Sequence, residues 1–209
     1  MAKDVGYNYE NVLAVYLQGG NSAQKAAHLK PLFEQISGVE MVAAASFING
    51  VAGNQSTIHA DDSAGTALMA RFGYVDEDFF PLMQIPVIKG RYFSKDFPSD
   101  QREGVILNES AANYFGWDDP IGKRFRPIYG DDSLTRRTVI GVISDYHYYS
   151  VHNKIEPAIW YINPPGFYTL AIRFSGIETR ELTKRLEEVW NQHYPMPLLI
   201  MLWQRSASK

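Results

Sequence analysis

Four residues in the stretch "SDYHYYSVHNKIEP" are of types that could hold a metal ion or move a proton. Asp145 and His147 have the i, i+2 spacing of metal ligands on a strand, His152 would need a turn to join them, and Glu156 could act as a base. The stretch contains neither a complete ligand set nor groups that would orient the ligands. We therefore favour the alternative, a polar exit from a strand, over a metal-dependent enzyme.

A Gly-Lys pair in "FGWDDPIGKRF" invites comparison with a phosphate-binding loop. Such a loop has four residues between its first glycine and the Gly-Lys pair, and a Ser or Thr follows the lysine. Here five residues separate Gly116 from Gly122, and Lys123 is followed by Arg124. Pro120 also removes one backbone N–H donor from the loop. These differences exclude a phosphate loop and indicate a structural turn.

Two exposed-looking segments are candidates for contact with a partner. The first is a basic cluster on a predicted hairpin, "KRFRPIYGDDSLTRR", which could bind an acidic protein or a lipid head group; a charged sheet edge that prevents strand pairing is the commoner role. The second is the polar, glycine-rich loop "NGVAGNQS". The candidate contact residues are Lys123, Arg124, Arg126, Arg136, Arg137, Asn49 and Asn54.

Aromatic residues are concentrated between positions 146 and 168. They could line a groove for a sugar or a drug, which would make the chain a ligand-binding sensor. Alternating aromatic residues are more typical of a half-buried sheet face, and we favour that interpretation. The residues are Tyr146, Tyr148, Tyr149, Trp160, Tyr161, Phe167 and Tyr168.

The composition excludes several classes of protein. The 209 residues carry a net charge of −3, which gives no sign of a nucleic-acid-binding face. Cysteine is absent, so disulfides, zinc–thiolate sites and thiol catalysis are excluded. No apolar run approaches the roughly 20 residues that span a bilayer, and the first residues do not have the pattern of a signal peptide. With 45% hydrophobic residues, the chain can bury a core.

The two ends of the chain each predict a β-α-β unit. The first has strands at residues 11–18 and 39–47 around a helix at 23–37. Pro31 either kinks this helix or marks where its regular part begins. The second has strands at residues 168–175 and 197–203 around a helix that starts with Thr179 as N-cap. Two such units on one sheet form a split β-α-β layer, so we predict an α+β fold.

The middle of the chain predicts a second, smaller mixed subdomain inserted between those units. It contains the strands "ALMARFGYVD" and "TVIGVIS", a helical turn in "DEDFFPLM", and a short helix after Asn108 as N-cap. The predicted division is residues 1–56 plus 164–209 for the layer built from both ends, and residues 57–163 for the insertion.

Several motifs, taken in their order along the chain, resemble one family. D-x-x-F-F and G-R-x-F occur in "GYVDEDFFPLMQIPVIKGRYFS", N-E-x-x-A and D-P-I-G-K in "GVILNESAANYFGWDDPIGKRF", and V-I-G-V-x-x-D-x-H in "TVIGVISDYHYYSVHNKIEPAIWYI". This order is similar to that of MacB-type periplasmic core domains of FtsX-like ABC transporter permeases, in the versions of Bacteroidetes-type bacteria. The resemblance covers nearly the whole chain, from about Lys3 to Trp203.

The resemblance implies a porter-like subdomain from both chain ends and an inserted second subdomain. It implies a periplasmic, non-catalytic domain of an inner-membrane permease that needs no cofactor, with ATP hydrolysis on a separate cytoplasmic domain or chain. The implied partners are the rest of the permease, the ATPase, a second copy in the full transporter, and an adaptor or cargo protein that receives ATP-driven motion. The alternative from another class is an extracytoplasmic small-ligand sensor.

Overall fold

Two β-sheets and five helices make up the α+β fold in the described part of the chain. We analysed a computed structural model, which describes residues 5–48, 55–61, 65–126, 136–148 and 153–202. The elements, in chain order, are β1 (Val12–Tyr16), α1 (Ser22–Phe33), β2 (Val39–Ala45), β3 (Gln55–His59), β4 (Ala67–Tyr74), α2 (Phe79–Met83), β5 (Val87–Gly90), α3 (Asp100–Glu103), β6 (Gly104–Asn108), α4 (Glu109–Tyr114), β7 (Arg124–Phe125), β8 (Arg137–Ile143), β9 (Ala158–Tyr161), β10 (Thr169–Phe174), α5 (Thr179–His193) and β11 (Leu199–Leu202).

The first sheet is built from both ends of the chain. Its strand order is β11-β1-β10-β2, and every neighbouring pair is antiparallel. β10 therefore lies between the two strands of the first β-α-β unit, and β1 lies between the two strands of the second. This interleaving is the split β-α-β arrangement that the sequence predicts, and the fold class is confirmed.

Both long helices cover one face of this first sheet. Strand residues alternate in direction, so Leu13 and Val15 contact the helices while Val12 and Ala14 face the other side. α5 buries Leu182, Leu186 and Trp190 against the sheet, a spacing of one helical turn each.

Two local predictions about these helices need correction. The regular part of α1 does not begin at Pro31, because the helix runs from Ser22 through Pro31 to Phe33. Pro31 lies in the last turn, where its missing N–H leaves only the carbonyl of exposed Ala27 unpaired within the helix. In α5 the N-cap position is occupied by Glu178, and the predicted cap Thr179 is already helical.

The second sheet is mixed and curls around its own core. Its order is β3-β4-β9-β6-β8-β5, with parallel pairs β4–β9 and β6–β8. β7 pairs with β8 and also meets the end of β3 through a bridge between Ala60 and Phe125. The buried side chains inside the curl include Leu107, Phe125 and Ile159.

The strands of the first sheet lie within residues 12–45 and 169–202, and those of the second sheet within residues 55–161. The predicted boundary between residues 56 and 57 falls inside β3, whose partner is β4 of the second sheet. The boundary after Asn163 falls in the connection between β9 and β10. The division into two subdomains at these residues stays a prediction. None of the helices within the described ranges has the length and apolar character needed to span a bilayer.

Candidate functional site at the junction of the two sheets

The basic residues predicted as a contact surface are partly brought together. Lys123, Arg124 and Arg126 are exposed along and beside β7. Arg136 is also exposed, and its Nε lies 2.6 Å from the Asp61 carboxylate, so its charge is already compensated. The chain between residues 126 and 136 lies outside the described residues, as do the predicted loop residues Asn49 and Asn54.

Arg137 does not belong to this surface, although the sequence groups it there. It is 3% exposed, and its guanidinium stacks on the Tyr161 ring at 4.4 Å. It also donates hydrogen bonds to the carbonyl oxygens of Gln101 and Gly104. Strand alternation explains the error, because neighbouring residues of β8 point to opposite faces.

Two of the residues considered for a metal-dependent site, Asp145 and Glu156, have other partners. Asp145 accepts hydrogen bonds from the backbone N–H and the hydroxyl of Ser110, at 3.1 and 2.6 Å. Glu156 forms an ion pair with Arg71 at 2.6 Å. His152 lies outside the described residues. Within the described ranges, no three His, Asp or Glu side chains are grouped closely enough to hold a metal ion.

Most of the aromatic residues considered for a ligand groove are buried in the core. Tyr168 is half exposed, and Tyr149 lies outside the described residues. The buried members are Tyr146, Tyr148, Trp160, Tyr161 and Phe167.

Residues of the motifs that resemble the family, such as Arg91 and Asn108, hold parts of the fold together in this chain. In G-R-x-F, the guanidinium of Arg91 binds both carboxylate oxygens of Asp100, at 2.5 and 2.8 Å. In N-E-x-x-A, Asn108 caps α4 by accepting a hydrogen bond from the Ala111 N–H. These side chains hold neighbouring elements of the fold together.

The first sheet has its helices on one face, and its other face packs against α2 and the second sheet. Along this face β1, β2 and β10 carry small residues, which include Ala14, Ala43 and Ala171. Small side chains allow bulky ones to approach closely, and the buried rings of Phe79 and Phe80 from α2 occupy this space. One continuous apolar core therefore connects the two sheets.

An ion cluster crosses the same junction. Lys30 of α1 places its Nζ 2.6 Å from the carboxylates of both Asp76 and Asp78, which precede α2. Asp76 also accepts a hydrogen bond from the Ala44 N–H of β2 at 2.8 Å. A second, exposed lysine, Lys95, lies 2.9 Å from Glu77. We call Lys30, Asp76 and Asp78 the junction triad.

Burial and pairing act in opposite directions on the pKa values of the triad. Burial lowers the pKa of Lys30, but the Asp76 and Asp78 carboxylates outweigh it and hold that pKa above its usual range. Burial raises the pKa of the Asp76 carboxyl to about 6, although Lys30 and the Ala44 N–H favour its ionised form. Lys30 therefore stays charged near neutral pH, while Asp76 takes up a proton in mild acid.

Arg173 forms a third link across the junction. It lies on β10, and its guanidinium donates hydrogen bonds to the carbonyl oxygens of Leu82 at 2.7 Å, Asn8 at 2.7 Å and Glu10 at 3.0 Å. It thereby ties the first sheet to the end of α2 and to the segment before β1. The sequence signal for this link is a lone arginine in the apolar strand "YTLAIRFS".

The first and last described strands are direct neighbours. β1 and β11 pair antiparallel, with Leu13 opposite Leu202 and Tyr16 opposite Leu199. The chain therefore enters β1 and leaves β11 at the same end of the first sheet.

Fold and junction together define an α+β domain in which a porter-like layer from both chain ends carries an inserted mixed subdomain. The MacB-like periplasmic core domain family matches residues 3–184 of the sequence. The chain belongs to this family and is the periplasmic domain of an ABC transporter permease of the MacB and FtsX type.

Solved structures with the same fold agree with this assignment. The periplasmic region of MacB from Actinobacillus actinomycetemcomitans is 14% identical, with a TM-score of 0.67, 93% of this chain covered and 89% of that one. A domain of a putative permease from Porphyromonas gingivalis is 18% identical, with a TM-score of 0.65 and coverages of 96% and 94%. The extracellular domain of the noncanonical ABC-type transporter YknZ from Gram-positive bacteria is 13% identical, with a TM-score of 0.63 and coverages of 91% and 100%. Comparison with curated protein sequences gave no match.

Proposed function

We propose that this domain is a non-catalytic relay, which passes ATP-driven movement of flanking membrane segments to an adaptor or cargo protein. The pairing of β1 with β11 carries the proposal, since it brings the two chain exits side by side. Membrane helices attached at both exits would move these two strands directly. ATP hydrolysis would take place on a separate cytoplasmic domain or chain.

The junction supports a relay that moves as one body. The shared apolar core, the junction triad and Arg173 all connect the first sheet to the inserted subdomain. A displacement of the first sheet would therefore carry the inserted subdomain with it. In the full transporter two such domains would move against each other as a dimer, and exposed basic residues Lys123, Arg124 and Arg126 would contact the adaptor or cargo.

Distance measurements in the full permease test this relay. The chain has no cysteine of its own, so dyes can be attached at Lys184→Cys on α5 and Gln101→Cys on α3, both exposed sites. The permease is assembled with its ATPase in nanodiscs, in a background without other cysteines. We expect the distance between the Lys184→Cys sites of two copies to differ between the nucleotide-free and ATP-bound states. The distance between Lys184→Cys and Gln101→Cys within one copy should stay constant.

Either distance can contradict the proposal. An unchanged distance between copies during active ATP turnover would exclude a moving relay. A changing distance within one copy would show that the inserted subdomain moves separately from the first sheet, so that the junction does not act as a rigid connection.

A further inference from the structure

A cavity of about 400 Å³ lies between β4, the segment after β8 and the segment before β9. This volume is within the usual range for small-molecule sites. The cavity is separate from the junction triad and from the basic residues of β7. The lining side chains that matter are Arg71, His147, Tyr148, Asn153, Lys154 and Glu156.

Hydrogen bonds fix the walls of this cavity. The buried Tyr148 hydroxyl accepts from the Glu156 N–H at 3.1 Å and donates to the Glu156 carbonyl at 2.8 Å. Asn108 donates to the same carbonyl at 3.0 Å, and the Arg71 N–H donates to the Pro157 carbonyl at 2.8 Å. The wall before β9 is thereby attached to both other walls at Glu156 and Pro157, while Asn153 and Lys154 of the same wall are exposed.

The one carboxylate among the lining residues, that of Glu156, is already paired, whereas the Lys154 ammonium is not paired with any described residue. The Glu156 carboxylate already binds Arg71 Nε at 2.6 Å and Gln55 Nε2 at 3.2 Å. In the described part of the chain, the Lys154 ammonium has no ion pair, and the His147 imidazole forms no hydrogen bond or ion pair. The charged side chains that line the cavity therefore leave one positive charge, that of Lys154, uncompensated among the described residues.

The side chain of His147, unlike those of its neighbours in the chain, does not hold the described part of the fold together. Asp145 binds Ser110, Tyr146 is packed in the core, and Tyr148 holds the wall before β9. The half-buried His147 side chain lines the cavity instead.

We propose that this cavity binds a carboxylate group, from a small organic acid or from an acidic peptide side chain. Lys154 supplies the compensating charge, and Asn153 and His147 donate hydrogen bonds to the carboxylate oxygens. The Arg71–Glu156 pair forms the polar wall beside it. The donors proposed here, Lys154, Asn153 and His147, are not part of the junction triad, and binding by the isolated chain can be measured whether or not the proposed relay is correct.

Calorimetric titration of the 209-residue chain tests the site with two probes, citrate and the blocked peptide acetyl-Glu-Glu-amide, at constant ionic strength. We expect saturable binding of at least one probe. Lys154→Gln should weaken it about tenfold, the effect of losing one charge-assisted hydrogen bond. His147→Leu should weaken it several-fold, and the His147 ring protons should shift in NMR spectra during the titration. Thermal unfolding of each variant checks that the fold is kept.

Lys184→Gln on α5 is the matched control, because it removes the same charge from an exposed site on another face. Tighter binding of citrate would identify a small acid as the ligand class, and tighter binding of the peptide would identify an acidic protein segment. Absence of saturation with both probes would overturn the proposal. Equal weakening by Lys184→Gln and Lys154→Gln would do the same, since it would reduce the effect to overall charge.

Discussion

At the scale of single residues, Asp76 combines a structural position with a chemistry that responds to pH. Its side chain is 8% exposed, yet it accepts hydrogen bonds from Lys30 Nζ and from the Ala44 and Asp78 N–H groups. Burial disfavours the charged carboxylate more than these donors favour it, which is why its pKa rises to about 6. The unfolded chain would bind this proton near the ordinary value of 3.8.

This pKa difference predicts how Asp76 affects stability. The folded state binds the proton more tightly, so the contribution is fully present below pH 4 and is lost as the pH rises through 6. The free energy of unfolding of the wild-type chain, relative to Asp76→Asn, should fall by up to about 3 kcal/mol between pH 4 and pH 7. Urea denaturation at several pH values measures this, and the carboxyl ¹³C shift of Asp76 should titrate near 6.

Asp118→Asn serves as the control for that titration, because Asp118 is exposed. Its stability relative to the wild type should change little across the same pH range. A ¹³C midpoint for Asp76 near 4, with a constant stability difference to Asp76→Asn, would contradict the raised pKa and show that the hydrogen bonds and the Lys30 charge fully offset burial.

Asn108 shows how far a residue's role can be predicted from the sequence. Its place as N-cap of α4 follows from the local pattern of an Asn before a short helical stretch, and the structure has that cap. The same oxygen also accepts the Ala158 N–H at 2.8 Å, and the amide donates to the Glu156 carbonyl at 3.0 Å. These partners are about 50 positions away, so the sequence alone does not reveal that Asn108 joins β6 to β9.

At the scale of elements, the strands and helices that can be predicted from the sequence are those with a periodic pattern of apolar residues. The four strands of the first sheet and its two long helices have clear apolar patterns, and each was predicted within a few residues. β6 and β9, "GVILN" and "AIWY", are short and buried on both faces, so no alternation marks them. β3, "QSTIH", has a single buried apolar residue and lies at an edge of its sheet. The position of β3 in the sheet depends on its pairing with β4, and the residues of β3 alone do not encode that pairing.

Gly141 of β8 lies against the backbone of Arg91, which directly follows β5. This close approach predicts the cost of replacing Gly141. A Cβ on Gly141 would collide with the Arg91 carbonyl oxygen, and the Arg91 N–H bonds to the neighbouring Ile140 carbonyl at 3.0 Å. The obstacle is backbone, which cannot rotate away. Gly141→Ala should therefore lower the free energy of unfolding by about 3 kcal/mol, as measured by urea denaturation.

Gly116→Ala separates this collision from ordinary glycine effects. Gly116 has a φ of +61° and open space around its Cβ position, so its replacement strains only the backbone dihedral, at about 1 kcal/mol. If Gly141→Ala proved no more costly than Gly116→Ala, the close approach of the two segments would be contradicted.

At the scale of the whole molecule, the junction decides whether two sheets behave as one body. The apolar part of the junction has no direction, so it allows small sliding movements of the packed faces. The junction triad and Arg173 add directed contacts with fixed geometry, and the triad is largely shielded from solvent. A domain that relays motion would need the directed contacts of the junction triad and Arg173. Without them, sliding between the two sheets would take up the displacement before it reached the inserted subdomain.

Replacing Lys30 tests that idea in the isolated chain. Lys30→Met keeps the length of the side chain but leaves the Asp76 and Asp78 carboxylates without their shared cation, which is strongly unfavourable at a buried site. We expect a loss of about 3 kcal/mol or more in the free energy of unfolding at pH 7. Lys95→Met removes an exposed lysine, 73% accessible, and should cost less than about 1 kcal/mol.

Amide hydrogen exchange distinguishes opening of the junction from general destabilisation. In Lys30→Met, the Ala44 and Asp76 amides, which bond across the junction, should exchange faster through local opening, in excess of the loss of global stability. The Leu107 amide, inside the second sheet, should follow the global change alone. If all three amides accelerated equally, the triad would contribute stability without locking the two sheets together, and rigid transmission would have to depend on the apolar core and Arg173.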